Sequence, residues 1–427
     1  MTKTKSKPLQ RLLILLAVLF FTASGILSWV LYDALVDRSG WELEDGVYFY
    51  RDFHHRRVSG WQQIEGNLYY FDPAAGMQTG WLTQDSQVRY LHSDGTMATG
   101  WQELEGNRYH FDSTGLLSTG WLEDGGTRYY LQEDGLPGTG WLETEDGRYY
   151  LRQDGSVTVG PVSIGEASYC FSREGRMLTG WQDGLYYLPD GTMASGWQDI
   201  DGKRYFFEAD GRPHTGWLTQ GEYSYYFLED GAAAVGPQII DGQEHFFTPK
   251  GIHVVLVNAD HPIPDYWKPE IVTLFGWNRV ARSCLEPMQE MLAACEAAGH
   301  KYDFNSSYRS HENQVEIVKI RTQEYMDAGM SYQQAYAKTL ESAALPGTSE
   351  HALGLAADIT GEDAKLWLGQ HCWEYGFILR YPPDKQHITG IMNEPWHFRY
   401  VGTEVSMDMK DSGLCLEEYL GAGPVGG

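Results

Sequence analysis

The stretch GWQELEGNRYHFDSTGLLST, Gly100 to Thr119, decides the fold of about half of this chain. A Gly-Trp pair opens it, an aromatic triplet sits in its middle and a glycine turn closes it. Related units read GWQQIEGNLYYFDPAAGMQT from Gly60 and GWQDIDGKRYFFEADGRPHT from Gly196. Gly-Trp pairs recur at Trp41, Trp61, Trp81, Trp101, Trp121, Trp141, Trp181, Trp197 and Trp217, with Gly160-Pro161 and Gly236-Pro237 holding two further slots. Alternation along a strand puts Tyr69 and Phe71 on one face and Tyr70 on the other. Two short strands around a glycine-containing turn predict a β-hairpin. A lone hairpin is marginal in water, so the aromatic faces are expected to be buried by stacking neighbours into a solenoid over residues 39–251.

The totals agree with a turn-rich, aromatic chain: 427 residues carry 49 glycines, 28 tyrosines and 15 tryptophans. That length exceeds one ordinary core. A formal net charge of −26 excludes nucleic acid as a natural partner, because phosphate binding needs clustered Lys and Arg. The five cysteines, Cys170, Cys284, Cys295, Cys372 and Cys415, form no CxxC pair. They read as small buried hydrophobes, with one disulfide in the C-terminal half as the alternative.

Residues 1–11 hold Lys3, Lys5, Lys7 and Arg11 with no acid, a basic cytoplasmic tail. Residues 12–32, LLILLAVLFFTASGILSWVLY, are long and apolar enough for a transmembrane helix. The basic flank orients it with everything after Tyr32 outside the cell. A cleaved signal peptide is the competing reading, and the apolar run past Thr22–Gly25 favours an uncleaved single-pass membrane anchor.

The aromatic period stops near Gly251, and residues 252–427 carry the chemistry. HVVLVNADHPIP, from His253, reads as a strand running into a proline-rich loop. Leu285, Met288, Leu292 and Cys295 recur at helical spacing. A short strand ends at Ser306 or Ser307, a helix with Val315, Val318 and Tyr325 follows, and a second helical stretch covers roughly 331–344. In LPGTSEHALGLAADITG, Leu345 to Gly361, His351 precedes Asp358 in small, apolar surroundings. Both residue types bind Zn²⁺, but a catalytic site needs three protein ligands and an open position. NEPWHFRYVG supplies His397 as a third ligand, with Glu394 three residues before it; His311, His371 and His387 remain alternatives on composition alone. A metal-activated water with a carboxylate to take its proton points to amide hydrolysis.

The repeats resemble the cell-wall-binding repeats of choline-binding and glucan-binding surface proteins. In that family choline sits between hairpins in an aromatic cage, by cation–π attraction. The family has a second tryptophan before the Tyr-Tyr pair, where this chain has Leu68, Arg89, Arg108, Arg128, Arg148, Leu185 and Arg204. Arginine there would repel choline, so wall polysaccharide or teichoic acid is an equal candidate ligand.

SSYRSHENQ, PGTSEHALGLAADI, YGFILRYPPDKQHITGIMNEPWHFRYVG and LEEYL resemble VanY-type D-alanyl-D-alanine carboxypeptidases, of the zinc peptidase group that includes lysostaphin and the hedgehog domain. The resemblance implies a C-terminal α+β domain with a small antiparallel sheet and one zinc on His351, Asp358 and His397. It implies Glu394 as catalytic base and Arg309 as substrate-binding, oxyanion-stabilising residue. It also implies that Ser349 and Tyr381 hold the terminal carboxylate and that Gln314 lines the pocket; Trp396 reads as core. The activity implied is removal of the terminal D-alanine from peptidoglycan stem peptides in a Gram-positive-type wall. An L,D-carboxypeptidase or wall endopeptidase is the alternative within enzymes, and a wall-binding adhesin the alternative outside them.

Overall fold

The computed structural model describes residues 39–426 and, before them, Thr22, Ser24, Gly25, Ile26 and Ser28, which are helical. The expected tail and anchor, residues 1–32, otherwise lie outside the described residues. Among the described residues no helix is long and apolar enough to cross a membrane. The chain divides between Thr179 and Gly180 into two compact units.

The first unit is a run of β-hairpins. In the hairpin of Gly100–Leu104 and Asn107–Phe111, Trp101 pairs with His110, Gln102 with Tyr109 and Glu103 with Arg108. Its two turn residues, Glu105 (φ 53°) and Gly106 (φ 82°), both lie in the left-handed region, which matches the twist of the strands. Phe71, Leu91 and Phe111 are fully buried, one layer per hairpin. The segment after each hairpin returns to an earlier one: Leu117 N–H donates to Val88 O (2.8 Å) and Val157 N–H to Arg128 O (2.9 Å). Gly115, at φ 79°, has no room for a side chain, because a Cβ would collide with Met97. These bonds join marginal hairpins into the expected solenoid.

The second unit begins with four more hairpins, Gly180–Tyr187, Gly196–Phe207, Gly216–Phe227 and Gly236–Phe247. The last gains a third strand, His253–Val254, paired with Phe246 and Phe247. The strand expected from His253 onward is therefore only two residues long. It leaves the ladder because Arg399 Nη2 takes the Val255 carbonyl (2.7 Å) and Asn258 Nδ2 donates to Glu417 (3.0 Å).

The α+β domain follows: β1 (Ile271–Phe275), β2 (Asn278–Ala281), α1 (Leu285–Ala297), β3 (Asp303–Ser306), α2 (His311–Asp327), α3 (Tyr332–Leu340), β4 (Ala356–Thr360), α4 (Glu362–His371), β5 (Phe377–Tyr381), α5 (Gln386–Thr389), β6 (Glu394–Tyr400), α6 (Thr403–Ser412) and α7 (Leu416–Leu420). Strands β3, β4, β6 and β5 form one antiparallel sheet in that order. Met288, Met291, Leu292 and Cys295 of α1 and Ala364 and Leu368 of α4 pack on Ala357, Ile359 and Phe398 of the sheet. A capping box at Ser331 starts α3, which stops at Leu340 rather than at Ala344. Cys284, Cys295, Cys372 and Cys415 are buried as free thiols, as small hydrophobes in the core.

A second apolar cluster crosses the boundary drawn at residue 252. Tyr225, Phe227 and Phe246 of the hairpins pack with Leu256, Ile378, Val405, Met409, Leu416 and Leu420. Tyr400 Oη donates to Glu222 (2.6 Å), and Lys250 Nζ to Asp408 (2.9 Å). The last hairpins and the α+β domain thus share a core.

Candidate active site

Register brings the acid and the histidine together. Asp358 on β4 is the direct cross-strand partner of His397 on β6, and Tyr381 on β5 is that of Glu394. His351 arrives from a short 3-10 turn, Glu350–Leu353, which Gly354 ends at φ 76°. A Cβ on Gly354 would meet Ala281 N at 2.9 Å, so the turn that aims His351 requires glycine.

His351 Nε2 lies 3.3 Å from Asp358 Oδ2, and His397 Nδ1 lies 3.0 Å from Asp358 Oδ1. One ligand atom from each of the three residues falls within 4.8 Å of the others. Tetrahedral Zn²⁺ with bonds of about 2.0–2.1 Å has ligand edges of roughly 3.3 Å, so this donor set fits the ion. The alternatives are elsewhere: His371, for example, pairs with Glu374 at 2.9 Å. The outer nitrogens are also engaged. His351 Nδ1 faces the Ser307 carbonyl (2.9 Å), and His397 Nε2 faces Glu350 Oε2 (3.4 Å). Such partners fix the ring tautomer and leave the inward nitrogen as the ligand.

Around this group is a polar cavity of about 400 Å³, lined by Arg309, Arg321, Ser349, Tyr381, Glu394 and Trp396 among others. Glu394 Oε2 is 3.8 Å from His397 Nδ1, near the ligands but not among them. Burial raises its pKa, the setting of a general base. Arg309 is held from both sides: Nη1 donates to Gln314 Oε1 and Nη2 to Ser306 Oγ, both at 2.8 Å. Gln314 is buried and passes its own amide to Ala344 O (2.6 Å). It stands behind the arginine, and is neither an exposed first-turn residue nor on the cavity wall. Trp396, read as core, is on the wall.

The sequence reading missed the support behind the histidines. Glu350, 2% exposed, accepts from Arg380 Nε (2.8 Å) and Arg399 Nη1 (2.7 Å). Arg380 in turn donates two bonds to Glu417 on α7 (2.9 and 2.6 Å). Two carboxylates and two guanidiniums balance one another in a dry core, which is how buried charges are tolerated. Glu350 Oε2 and His397 Nε2 have no other partner among the described residues. The SEH triplet was the available signal, since an acid next to a ligand histidine inside an apolar turn needs a buried cation.

Burial opposes a charge on His397, but the bonds to Asp358 and Glu350 outweigh it and hold its pKa at about 9. In the metal-free chain this protonation stabilises the fold fully below the ordinary value of 6.5, and the contribution is lost as pH rises through about 9. Metal must displace that proton. Apparent zinc affinity is therefore expected to fall about tenfold for each pH unit below about 9. Chelator competition at several pH values checks this, and a flat profile would show that the ring is already neutral.

Comparison with known proteins follows the same geography. A family profile described as D-alanyl-D-alanine carboxypeptidase (VanY) matches residues 278–403, and one described as choline-binding repeat matches 58–99, 98–136 and 194–236. The Enterococcus gallinarum bifunctional D-Ala-D-Ala dipeptidase and D-Ala-D-Ala carboxypeptidase VanXYC is 36% identical over 186 residues, 39% of this chain and 83% of that protein. The chain belongs to the VanY-type D-alanyl-D-alanine carboxypeptidase family. The D-alanyl-D-alanine carboxypeptidase of Enterococcus faecalis is 42% identical over 174 residues, 39% of this chain. The match spans 65% of that relative, less than two thirds of its length. Among solved structures, a point mutant of the vancomycin resistance D,D-pentapeptidase VanY from a VanB-type resistance cassette, in complex with Zn(II), shows 42% identity over 39% of this chain and 97% of that one, with a TM-score of 0.38.

This VanY-type chain uses its choline-binding-type repeats unevenly. Each repeat tryptophan meets a tyrosine, histidine or phenylalanine of its own hairpin and, commonly, an aromatic ring of the next: Trp81, for example, lies 5.2 Å from Tyr90 and 5.0 Å from Tyr109. Arginine caps four of these rings from within the same hairpin. Arg108, Arg128, Arg148 and Arg204 lie 4.0, 3.9, 4.1 and 4.4 Å from the centroids of Trp101, Trp121, Trp141 and Trp197. Arg89 also precedes a tyrosine in sequence, but it pairs with Leu82, where Tyr109 pairs with Gln102, so Val88 holds the slot of the other arginines. From there Arg89 reaches back to Trp61, at 5.3 Å. The uncapped Trp41, Trp81, Trp181 and Trp217 are the exposed ones, at 42–43%. The arginines thus occupy the cation position over their rings instead of merely repelling a ligand cation. Replacing Arg128 by Ala is expected to raise quenching of Trp121 fluorescence and to cost about 0.5–1 kcal/mol. Unchanged quenching would mean that the guanidinium does not cover the ring in solution.

Proposed function

We propose that this protein is a zinc-dependent D,D-carboxypeptidase that removes the terminal D-alanine from peptidoglycan stem peptides. The convergence of His351, Asp358, His397, Glu394 and Arg309 on one polar cavity, in a chain of this family, supports the reading. His351 through Nε2, Asp358 through a carboxylate oxygen and His397 through Nδ1 would hold the ion. Bound there, zinc supplies a Lewis acid that acidifies water and polarises the scissile carbonyl.

The chain's own groups do the rest. Glu394 takes a proton from the attacking water and returns it to the leaving amine of D-alanine. Arg309, fixed by Gln314 and Ser306, meets the negative charge that develops on the carbonyl oxygen. The Ser349 and Tyr381 hydroxyls, both on the cavity wall, donate to the terminal carboxylate. Water adds across the peptide bond, one acid and one amine leave, and the glutamate ends as it began.

Residues 12–32 anchor the chain in the cell membrane, with residues 39–251 and 252–427 outside it. The repeats contact wall polysaccharide or teichoic acid, a role supported by the exposed faces of Trp41, Trp81 and Trp181. Tethering raises the local concentration of the site at a polymeric substrate. The test is D-alanine release by the full chain from a pentapeptide ending in D-Ala-D-Ala and from a tetrapeptide ending in one D-Ala. Release from the pentapeptide alone is expected. Release from the tetrapeptide would move the activity to the L,D class, and none from either would favour an endopeptidase or a wall-binding adhesin.

A further inference from the structure

The last aromatic cage differs from the others. Trp217 packs against Tyr226 of its own hairpin (5.2 Å) and against His245 (5.2 Å) in the place where earlier units have tyrosine. The segment after the last hairpin then adds His253, 5.1 Å from Trp217, and Tyr266, which stacks flat on His245 at 4.3 Å and 10°. The result is a cleft of about 650 Å³ whose polar lining includes Ser224, Asp241, Gln243 and Lys268. Gln243 Oε1 is buried and has no hydrogen-bond partner among the described residues. Such an acceptor is costly unless something donates to it.

The lining narrows the occupant. A quaternary ammonium has no N–H or O–H for Gln243 and would meet the Lys268 charge. A phosphate would meet the Asp241 carboxylate. A neutral polyhydroxylated ring carrying an amide satisfies every group: its C–H face lies on Trp217, its hydroxyls pair with Asp241 and Lys268, and its amide N–H donates to Gln243. Sites with a few polar groups set among aromatic walls bind ligands of this kind. We propose that this cleft is a saccharide subsite for an N-acetylated amino sugar of the glycan strand, distinct from the cages between the earlier repeats. This rests on peptidoglycan being the substrate. One wall also abuts the catalytic residues, because the Trp267 indole N–H donates to Leu353 O (3.2 Å), in the turn that carries His351. Glycan in the cleft would therefore lie against the segment that aims a metal ligand.

The test titrates full-length protein with tetra-N-acetylchitotetraose, a peptide-free glycan, and follows tryptophan fluorescence and calorimetry. Saturable millimolar or tighter binding is expected. Gln243→Leu should weaken it about tenfold without lowering the melting temperature, since that oxygen has no internal bond to lose. Trp217→Ala should weaken it further. No binding by a protein that still releases D-alanine from pentapeptide would overturn the subsite alone, as would equal affinity in Gln243→Leu. Displacement of the sugar by choline would also overturn it, by assigning the cleft to a cation. Sugar binding without D-alanine release would retain the subsite and sink the catalytic reading.

Discussion

Glu394→Gln is expected to lower kcat/KM for D-alanine release by about two to four powers of ten. The amide keeps the shape of the side chain and cannot accept the proton of the attacking water. Bound zinc and melting temperature should stay at wild-type levels, because the carboxylate stands 3.8 Å from His397 Nδ1 and outside the ligand set. Burial raises the Glu394 pKa, so the acid limb of the wild-type pH profile should lie above that of an ordinary glutamate and vanish in the variant. Full activity in Glu394→Gln would move the base elsewhere, and the wall offers Glu324 as an exposed acid. Loss of zinc together with activity would instead make Glu394 a ligand.

The second large effect lies behind the site. Replacing Glu350 by Gln removes the charge that Arg380 and Arg399 share. Breaking a buried pair in this way costs about 3–5 kcal/mol. It also weakens the acceptor facing His397 Nε2, and loss of such support costs about 10- to 100-fold in metal affinity. Glu417→Gln is the comparison. It unbalances the same network through Arg380 but is one residue further from the histidine, so stability should drop similarly while zinc affinity drops less. Chelator competition and metal-free melting curves separate the two effects. Wild-type zinc affinity in Glu350→Gln would reduce that residue to a structural role.

These variants are best made in the full chain. The cluster joining Phe227 and Phe246 to Val405, Leu416 and Leu420 means that a fragment starting at residue 252 would expose an apolar face that the hairpins cover.

The sequence by itself determined the hairpin solenoid, because a twenty-residue period of aromatic and glycine positions admits few other packings. It also determined which residue types could hold a metal and hydrolyse an amide, because His, Asp and Glu in short motifs limit the chemistry. It could not determine distances between motifs. Asp358 and His397 meet because β4 and β6 pair in one register, and a shift by one residue would turn one of them to the opposite face. Nor was the charge network legible: Glu350, Arg380, Arg399 and Glu417 look like ordinary surface residues in one dimension, and only burial makes them partners. Gln314 moved from the pocket wall to the back of Arg309 for the same reason. The arginines of the repeats were visible, but their position over the tryptophan faces depends on cross-strand register, which also separated Arg89 from the rest. Local pattern follows from covalent order, whereas long-range pairing and burial exist only once the chain has folded.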